Sequence, residues 1–344
     1  MKIPFEREYR EKYYKLLEDI FESNYLSEGA MVNRFEDAFG RYIGIPCLAV
    51  TNGGTGLLNI LEYIGVIGQD VIVPANTFWA TAAAAKRAGA KVIYADCNRE
   101  DLCLSLEDLK KRVTKNTRAV VVVHIGGHIA FEIDQIAAFC KEREIFLVED
   151  CAHAHGGSWN GRSGGDWGFA GSYSFYATKT MPMGEGGIVC SKDEKFMEWL
   201  KYNRNYGKKV SGGKVSYMIK NGFNFRMNEM TAAFGLVQLQ RLPTILDWKK
   251  RLTAKYDQIF ENRVKFPLGM VSGYYKYIVF DYPLKMETGK VFAQTDFGPE
   301  IEGITYDLPN SSWVAEHHKC PPIYFGWDEA EKDVEELKHI LLQN

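Results

Sequence analysis

The sequence lacks the features that mark membrane, nucleic-acid-binding and disulfide-rich proteins. No apolar stretch reaches the roughly 18–20 residues that span a bilayer. With 42 Lys and Arg against 44 Asp and Glu, the net charge of −2 gives no general attraction to nucleic acid or anionic membranes. The seven cysteines form no Cys-x-x-Cys pair, and an odd, scattered set indicates reduced thiols. We therefore expect a cytoplasmic protein that binds neither nucleic acid nor a membrane.

The chain also has no internal repeat, and its first 21 residues predict an amphipathic helix rather than a signal peptide. Its 344 residues are 46% apolar, enough for a large core in one big or two unequal domains. Between about residues 48 and 191, β-rich runs alternate with helical patterns, which predicts a mostly parallel sheet between helices. The predicted strands span 71–75, 91–97, 119–125, 145–151, 172–176 and 187–191. The predicted helices span 56–64, 80–88, 106–112 and 133–143.

The sequence pattern changes after about residue 240. Residues 239–260 predict a long helix. From about residue 262 the chain is richer in Pro, Gly and aromatics, with a predicted strand at 275–281 and a helical end at 328–342. We therefore predict a large domain over 1–240 and a smaller C-terminal α/β domain over 241–344. The N-terminal helix is a candidate to pack with the smaller domain.

Ligands in open α/β sheets bind at the carboxyl ends of the strands, and a glycine-rich turn follows one predicted strand there. Thr51-Asn52-Gly53-Gly54-Thr55-Gly56 opens a helix, and backbone N–H groups at a helix N-terminus bind phosphate. The Rossmann spacing and the Walker lysine are both absent. A plain strand-to-helix turn is therefore the alternative interpretation.

An acidic pair, Glu149-Asp150, ends the strongly apolar strand over 145–151. A carboxylate at this edge would face the crevice and could keep the ring nitrogen of a bound pyridine protonated. The alternative is that Asp150 caps the next helix. His153 and His155 invite a metal interpretation, but two histidines at this spacing without an acidic or Cys partner argue poorly for one. The run His317-His318-Lys319-Cys320 is equally weak evidence for a metal site, and we predict no metal.

A lysine follows another predicted strand, in Ser174-Phe175-Tyr176-Ala177-Thr178-Lys179, before the glycine-rich run 184–187. Burial there would lower the pKa of Lys179 and leave a neutral amine available for a Schiff base. A surface lysine is the alternative. Phe78, after the strand over 71–75, could stack on a flat cofactor, although core packing is the commoner role of such an aromatic.

The order of these motifs resembles the DegT/DnrJ-type sugar aminotransferases, a branch of the fold-type I pyridoxal phosphate (PLP) enzymes. The resemblance runs from about Leu26 to about Leu239. Its motifs are Ser27-Glu28-Gly29, Phe35-Glu36, Gly54-Thr55, Pro74-Ala75-Asn76-Thr77-Phe78, Val123-His124, Glu149-Asp150, Ser174 with Lys179, Gly184-Glu185-Gly186-Gly187, Arg204-Asn205-Tyr206-Gly207 and Gly222-Phe223-Asn224-Phe225-Arg226-Met227. The resemblance implies a large domain with a seven-stranded, mostly parallel sheet and a smaller C-terminal α/β domain.

The resemblance also implies roles for individual residues. Lys179 would carry the Schiff base and shuttle the proton, and Asp150 would be the pyridinium partner. Residues that match the cofactor-binding positions are Gly54, Thr55, Phe78, Asp150, His153, Ser174, Lys179 and Asn224. Residues assigned to the substrates are Arg226, which would receive the carboxylate of the amino donor, Glu185 and Tyr206. In this family the neighbouring subunit supplies the residue matched by Asn224, which implies a homodimer with shared active sites.

The chain departs from the family pattern at two positions. Tyr206 stands where the family usually has His, and Gly56 replaces the usual small helix former. The resemblance implies that glutamate gives an amino group to the keto group of a nucleotide-linked deoxysugar, for a polysaccharide or an antibiotic sugar. Amination of a keto-inositol or a small phosphorylated ketone, and a PLP-binding regulator without turnover, are the alternatives. The sequence fixes neither the ketone, the carbon nor its stereochemistry, and glutamine as donor stays open.

Overall fold

The computed structural model of the chain describes residues 5–343. The strands are β1 (Cys47–Val50), β2 (Asp70–Pro74), β3 (Lys91–Ala95), β4 (Thr117–Val123), β5 (Phe146–Asp150), β6 (Ser158–Trp159), β7 (Arg162–Ser163), β8 (Ala170–Ser174), β9 (Gly187–Cys190), β10 (Lys208–Ser211), β11 (Lys214–Tyr217), β12 (Met270–Val271), β13 (Val279–Phe280) and β14 (His318–Lys319). The α-helices are α1 (Arg7–Ser23), α2 (Ala30–Ile43), α3 (Gly53–Ile64), α4 (Ala80–Arg87), α5 (Leu106–Arg112), α6 (Ile133–Glu142), α7 (Glu194–Asn203), α8 (Glu229–Ile259), α9 (Gly298–Glu302), α10 (Pro309–His317) and α11 (Val334–Leu341). Short 3-10 helices span Ile125–Gly127, Gln294–Asp296 and Asp328–Glu331.

One seven-stranded sheet, in the order β1-β9-β8-β5-β4-β2-β3, organises the chain. Strand β9 is antiparallel to both of its neighbours, and the other pairings are parallel. The carboxyl ends of six strands therefore lie at one edge, where ligands bind in sheets of this kind. The predicted α/β class with a mostly parallel sheet between helices is confirmed.

The predicted strands and helices of the sheet region are present, with bounds that differ from the prediction by at most three residues. Strand β4 contributes a run of valines that is buried on both faces of the sheet. Burial on both faces explains why this strand reads as a continuous apolar run rather than an alternating one. Gly56, one departure from the family pattern, has a packing reason, because a Cβ atom there would meet Ser172 Oγ at 2.2 Å.

Helix α8 is 31 residues long and begins ten residues before the predicted helix, because Asn228 caps it by accepting a hydrogen bond from Thr231 N. Its first residue, Glu229, is buried and accepts hydrogen bonds from Gly29 N, Met31 N and Val32 N at the start of α2. A carboxylate at this position satisfies the free N–H groups of a helix start. These hydrogen bonds hold the start of α8 against the start of α2.

Helix α1 packs mainly on the first half of α8, where the Tyr13 hydroxyl donates to Met230 O at 3.3 Å. The Arg241 guanidinium lies over the rings of Phe5 and Phe325, and so links this region to the C-terminal segment. Helix α8 runs without a break through residue 240, and the division into domains near that position stays a prediction. No helix within residues 5–343 combines the length and the hydropathy needed to cross a membrane.

The strand predicted over 275–281 is wrong for most of its length, because only Val279–Phe280 forms a strand, paired with β14. The preceding backbone has other partners. Gly273 N donates to Gly127 O, and Lys276 N donates to Gly126 O. Residues 273–276 are thus held against the turn that follows β4, at the ligand-binding edge of the sheet. The described residues after 262 form short helices and one two-stranded ladder, β13–β14, of their own.

Candidate active site

A cavity of about 530 Å³ opens at the carboxyl edge of the sheet. It brings together most of the residues that the sequence proposed for a site. Those that line it are Gly54, Phe78, Asp150, His153, Ser174, Lys179 and Glu185. Thr55, Tyr206, Asn224 and Arg226 are not in its lining. The volume is typical of a pocket for a cofactor or small ligand.

Asp150 is the last residue of β5, and its carboxylate is buried at the base of the cavity. It accepts hydrogen bonds from Thr81 Oγ1 (2.9 Å) and Ala152 N (3.0 Å). Burial raises the pKa of Asp150 above its usual value, while these two hydrogen bonds and the charge of Lys179 act in the opposite direction. No helix follows directly, so the alternative role as a helix cap fails. A carboxylate that accepts two hydrogen bonds can still accept another from a cationic ligand.

Glu149, the neighbour of Asp150, points to the other side of β5 and was not singled out as a site residue. It is fully buried and accepts hydrogen bonds from His124 Nε2 (2.9 Å) and from the backbone N–H groups of Gly165, Trp167 and Gly168. Successive side chains of a strand point in opposite directions, which is why the two acids serve different purposes. Glu149 fixes the loop that leads into β8 and, through it, the approach to Lys179.

Lys179 lies in a turn after β8 and lines the same cavity as Asp150. Burial lowers the pKa of Lys179 to about 8, with a smaller lowering from the charge of Lys276, while the charge of Asp150 raises it. The side chain is half-buried, so the surface-lysine alternative does not hold. A large fraction of its amine is neutral near pH 8, which is the form that attacks a carbonyl.

Tyr275 covers one side of the cavity and contacts both His153 and Lys179. Its ring stacks on the His153 imidazole with centroids 4.0 Å apart, and Lys179 Nζ lies 4.9 Å from its centroid. Burial, and then the charges of Lys179 and Lys276, lower the pKa of His153 well below its usual value, so the imidazole is neutral. Its Nδ1 atom is buried without a hydrogen-bond partner among residues 5–343. Tyr275 belongs to no recognisable motif, so its place in the site could not be predicted from sequence.

The glycine-rich turn forms the N-terminus of α3 at the cavity wall. Asn52 Oδ1 accepts a hydrogen bond from Thr55 N, and the Thr55 hydroxyl lies 2.9 Å from Thr51 Oγ1. The hydroxyl is therefore part of the helix cap, and its role as a phosphate ligand stays a prediction. Gly53 must be small, because a Cβ atom there would lie 2.9 Å from Ser174 Cβ. This close approach brings the helix start and the end of β8 to one place.

Two further lining residues lie at the mouth of the cavity. The Phe78 side chain is 77% exposed, so core packing does not explain it. Glu185 is exposed as well, next to Gly184, whose φ of 84° lies in the left-handed region. Thr81, which holds Asp150, lies three residues beyond Phe78. Thr81 lies outside the Pro74–Phe78 motif, and only the fold shows that its hydroxyl donates to Asp150.

Tyr206, Asn224 and Arg226 form a separate cluster outside the cavity. The Arg226 guanidinium donates to Asn205 Oδ1 at 2.6 Å, lies 3.9 Å from Glu28 Oε2, and stands over the Tyr206 ring. Asn224 is exposed to solvent. Within one chain, these residues do not meet Lys179 in the cavity.

Histidines and cysteines gather elsewhere in the described part of the chain, away from the proposed metal candidates. The two groups with ligand-type spacing are Asp101, Cys103 and His128, and His124, Glu149 and Cys151. His153 and His155 belong to neither group. In the other weak candidate run, His318 Nε2 accepts from Val291 N at 3.1 Å.

Three comparisons bear on the chain. The family model described as the DegT/DnrJ/EryC1/StrS aminotransferase family matches residues 7–297. GDP-perosamine synthase of Vibrio cholerae is 33% identical over 245 residues, 70% of this chain and 66% of that protein. UDP-4-amino-4,6-dideoxy-N-acetyl-beta-L-altrosamine transaminase of Campylobacter jejuni is 32% identical over 263 residues, 75% and 69% of the two chains. The solved structure of the aminotransferase TlmJ from Streptoalloteichus hindustanus superposes with a TM-score of 0.85 at 25% identity, covering 95% of each chain.

The lowered pKa of Lys179 predicts a specific pH dependence of its reactivity. Because burial disfavours the ammonium form, the neutral amine should reach half its population near pH 8, well below the pKa of about 10.4 of a model-peptide lysine. The measurement is the rate at which a small aldehyde labels Lys179, trapped by borohydride and read by peptide mass spectrometry between pH 6 and 11. A midpoint like that of a free lysine peptide measured alongside would contradict the buried setting.

Proposed function

Because the chain belongs to the DegT/DnrJ/EryC1/StrS aminotransferase family, we propose that it transfers an amino group from glutamate to a keto group of a nucleotide-linked deoxysugar, with PLP as cofactor. The observation that carries the proposal is the meeting of Asp150 and Lys179 in one cavity at the carboxyl edge of the sheet. The acceptor class rests on the named relatives, which are enzymes of GDP- and UDP-linked sugars. Buried cysteines without a disulfide agree with a cytoplasmic location.

The residues of the cavity fit PLP in size and in chemistry. A PLP site requires an acid for the ring nitrogen, an amine for covalent attachment and N–H donors for the phosphate. Asp150 has spare acceptor capacity, Lys179 has a lowered pKa, and the start of α3 forms one wall. The buried Nδ1 atom of His153 lacks a partner among residues 5–343, as expected of an atom that meets a ligand.

When bound, PLP supplies the electron sink that takes an amino group from one substrate and passes it to another. The chain's own residues would position the cofactor and the substrate and would transfer protons. The Asp150 carboxylate would stabilise a positive charge on the bound ring, and the Lys179 amine would accept a proton from the substrate carbon and return it. Phe78 offers a ring face at the mouth of the cavity, and Ser174 and Gly54, which line the cavity, would bind the phosphate. Glu185, exposed at the mouth, would contact the acceptor.

Two substitutions test these roles. Asp150→Asn should lower turnover about 10²- to 10³-fold, since an amide does not stabilise a protonated ring nitrogen in a buried site. Lys179→Ala should abolish turnover while leaving noncovalent cofactor binding. The assay is amino transfer from glutamate to nucleotide-linked keto sugars, with a keto-inositol and a small phosphorylated ketone in the panel. Asp134→Asn, an exposed acid on α6, is the matched control. Near-normal turnover of Lys179→Ala would refute the assignment.

A second part of the proposal concerns assembly, because Asn224 and Arg226 lie outside the cavity of their own chain. We infer that two subunits form a dimer in which each lends this segment to the other's site. The adjacent β10–β11 hairpin presents exposed Val210, Val215 and Tyr217, which suits burial against a partner. Tyr206, packed on Arg226, would then line the acceptor side of the partner's cavity.

Subunit mixing tests the shared site. Lys179→Ala and an Asn224→Ala/Arg226→Ala variant should each be inactive, and exchange of subunits should restore about a quarter of wild-type activity, because half the dimers carry one intact site. Exchange is followed with two fluorescent labels. Proven exchange without recovered activity would mean that the segment acts within its own chain.

A further inference from the structure

A second cavity, of about 250 Å³, adjoins the first and shares Thr178, Lys179 and Tyr275 with it. The turn that carries Lys179 forms one wall. Helix α8 forms another through Ile245 and Lys249, and residues 323–325 close the far side. Whatever occupies this cavity therefore lies beside the reactive amine, outside the pocket in which the cofactor fits.

The lining of the second cavity is positively charged. Besides Lys179 it contains Lys249 and Lys276, and it contains no aspartate or glutamate. Lys249 is buried, and its Nζ donates to Tyr274 O at 2.6 Å. Lys276 Nζ donates to Thr288 O at 2.8 Å. Within residues 5–343, neither Lys249 nor Lys276 has a carboxylate at ion-pair distance.

Buried cations without an anionic partner are costly, and proteins normally pair them. Burial, with a smaller contribution from the charge of Lys276, lowers the pKa of Lys249 to about 7. Burial also lowers the pKa of Lys276. A bound anion would reverse both effects and hold the two ammonium groups in their charged form. Thr178 adds a hydroxyl group to the same lining.

We propose that the cavity lined by Lys249 and Lys276 binds an anionic group of a substrate, a carboxylate or a phosphate, and holds it beside Lys179. That the bound anion belongs to a substrate follows only if the proposed amino transfer is correct. The anion site itself is inferred from the geometry of the cavity and does not depend on that function. Tyr275 forms the shared wall, with one face on His153, and so aligns the anion site with the cofactor pocket. Arg226, which we propose to reach the partner's site, does not line this cavity in its own chain, so the two lysines form a separate cationic site.

Two sources of the anion are possible, the distal carboxylate of a dicarboxylic amino donor and a phosphate of the acceptor. Two unreactive probes separate them. Glutarate carries two carboxylates without an amino or keto group, and inorganic phosphate represents the acceptor. Both are titrated calorimetrically into the PLP-loaded protein, so that the cofactor's own phosphate already fills its site.

The wild-type protein should bind at least one probe, and Lys249→Met and Lys276→Met should each weaken that binding at least tenfold. Lys276→Arg should retain most of it, because the positive charge remains. Lys255→Met is the matched control, since Lys255 lies on the same helix and also donates to backbone carbonyls but lies outside the cavity. It should bind the probe like wild type. If Lys249→Met fails to fold, the half-buried Lys276 carries the test.

Binding of glutarate alone supports a site for the donor, binding of phosphate alone a site for the acceptor, and binding of both a general anion site. The proposal is overturned if wild type binds neither probe, or if both lysine variants bind as tightly as wild type. Amino transfer is measured separately on the same proteins. A protein that binds the probe but transfers no amino group would refute the proposed function and leave the anion site standing.

Discussion

Two adjacent buried carboxylates at the end of β5 set the geometry on which the site depends. The pleat of the strand turns Glu149 to one side and Asp150 to the other. Glu149 has four hydrogen-bond partners and fixes the loop before β8. Asp150 has only two and keeps acceptor capacity toward the cavity. A buried acid whose bonds are complete stabilises structure, whereas one whose bonds are incomplete is available to a ligand.

The strand order converts this local feature into a site. Strand β8 lies beside β5, so the turn after β8 places Lys179 near Asp150. Strand β1 lies two places further along, and the start of α3 after it reaches the end of β8, where Gly53 allows contact with Ser174. Because β9 runs antiparallel between β1 and β8, both of those strands end at the same edge. Acid, amine and helix start therefore converge from distant parts of the sequence.

The parts of the site that could be predicted from the sequence are those that follow buried strands. Apolar runs locate the strands, and the residues at or just after their carboxyl ends, such as Asp150 and Lys179, must lie at one edge of a parallel sheet. Contacts made by the C-terminal segment could not be predicted in this way. Tyr275 and Lys276 reach the cavity because their backbone is held by the turn after β4, and that pairing leaves no periodic pattern. The strand predicted over 275–281 is too long for the same reason, since only Val279–Phe280 forms a strand. The structure also gives the Thr55 hydroxyl a place in the cap of α3, where it accepts a hydrogen bond from Asn52 N, and its role as a phosphate ligand stays a prediction.

The central claim is that Lys179 is the residue that holds the cofactor, and chemical trapping tests it most directly. The purified protein is mixed with PLP, reduced with borohydride and digested, and the modified peptide is identified by mass spectrometry. We expect one modified lysine per chain, Lys179, and loss of that label when glutamate is added before reduction. Labelling of another lysine with Lys179 unmodified would contradict the assignment of Lys179, and a label that glutamate leaves unchanged would contradict glutamate as the donor.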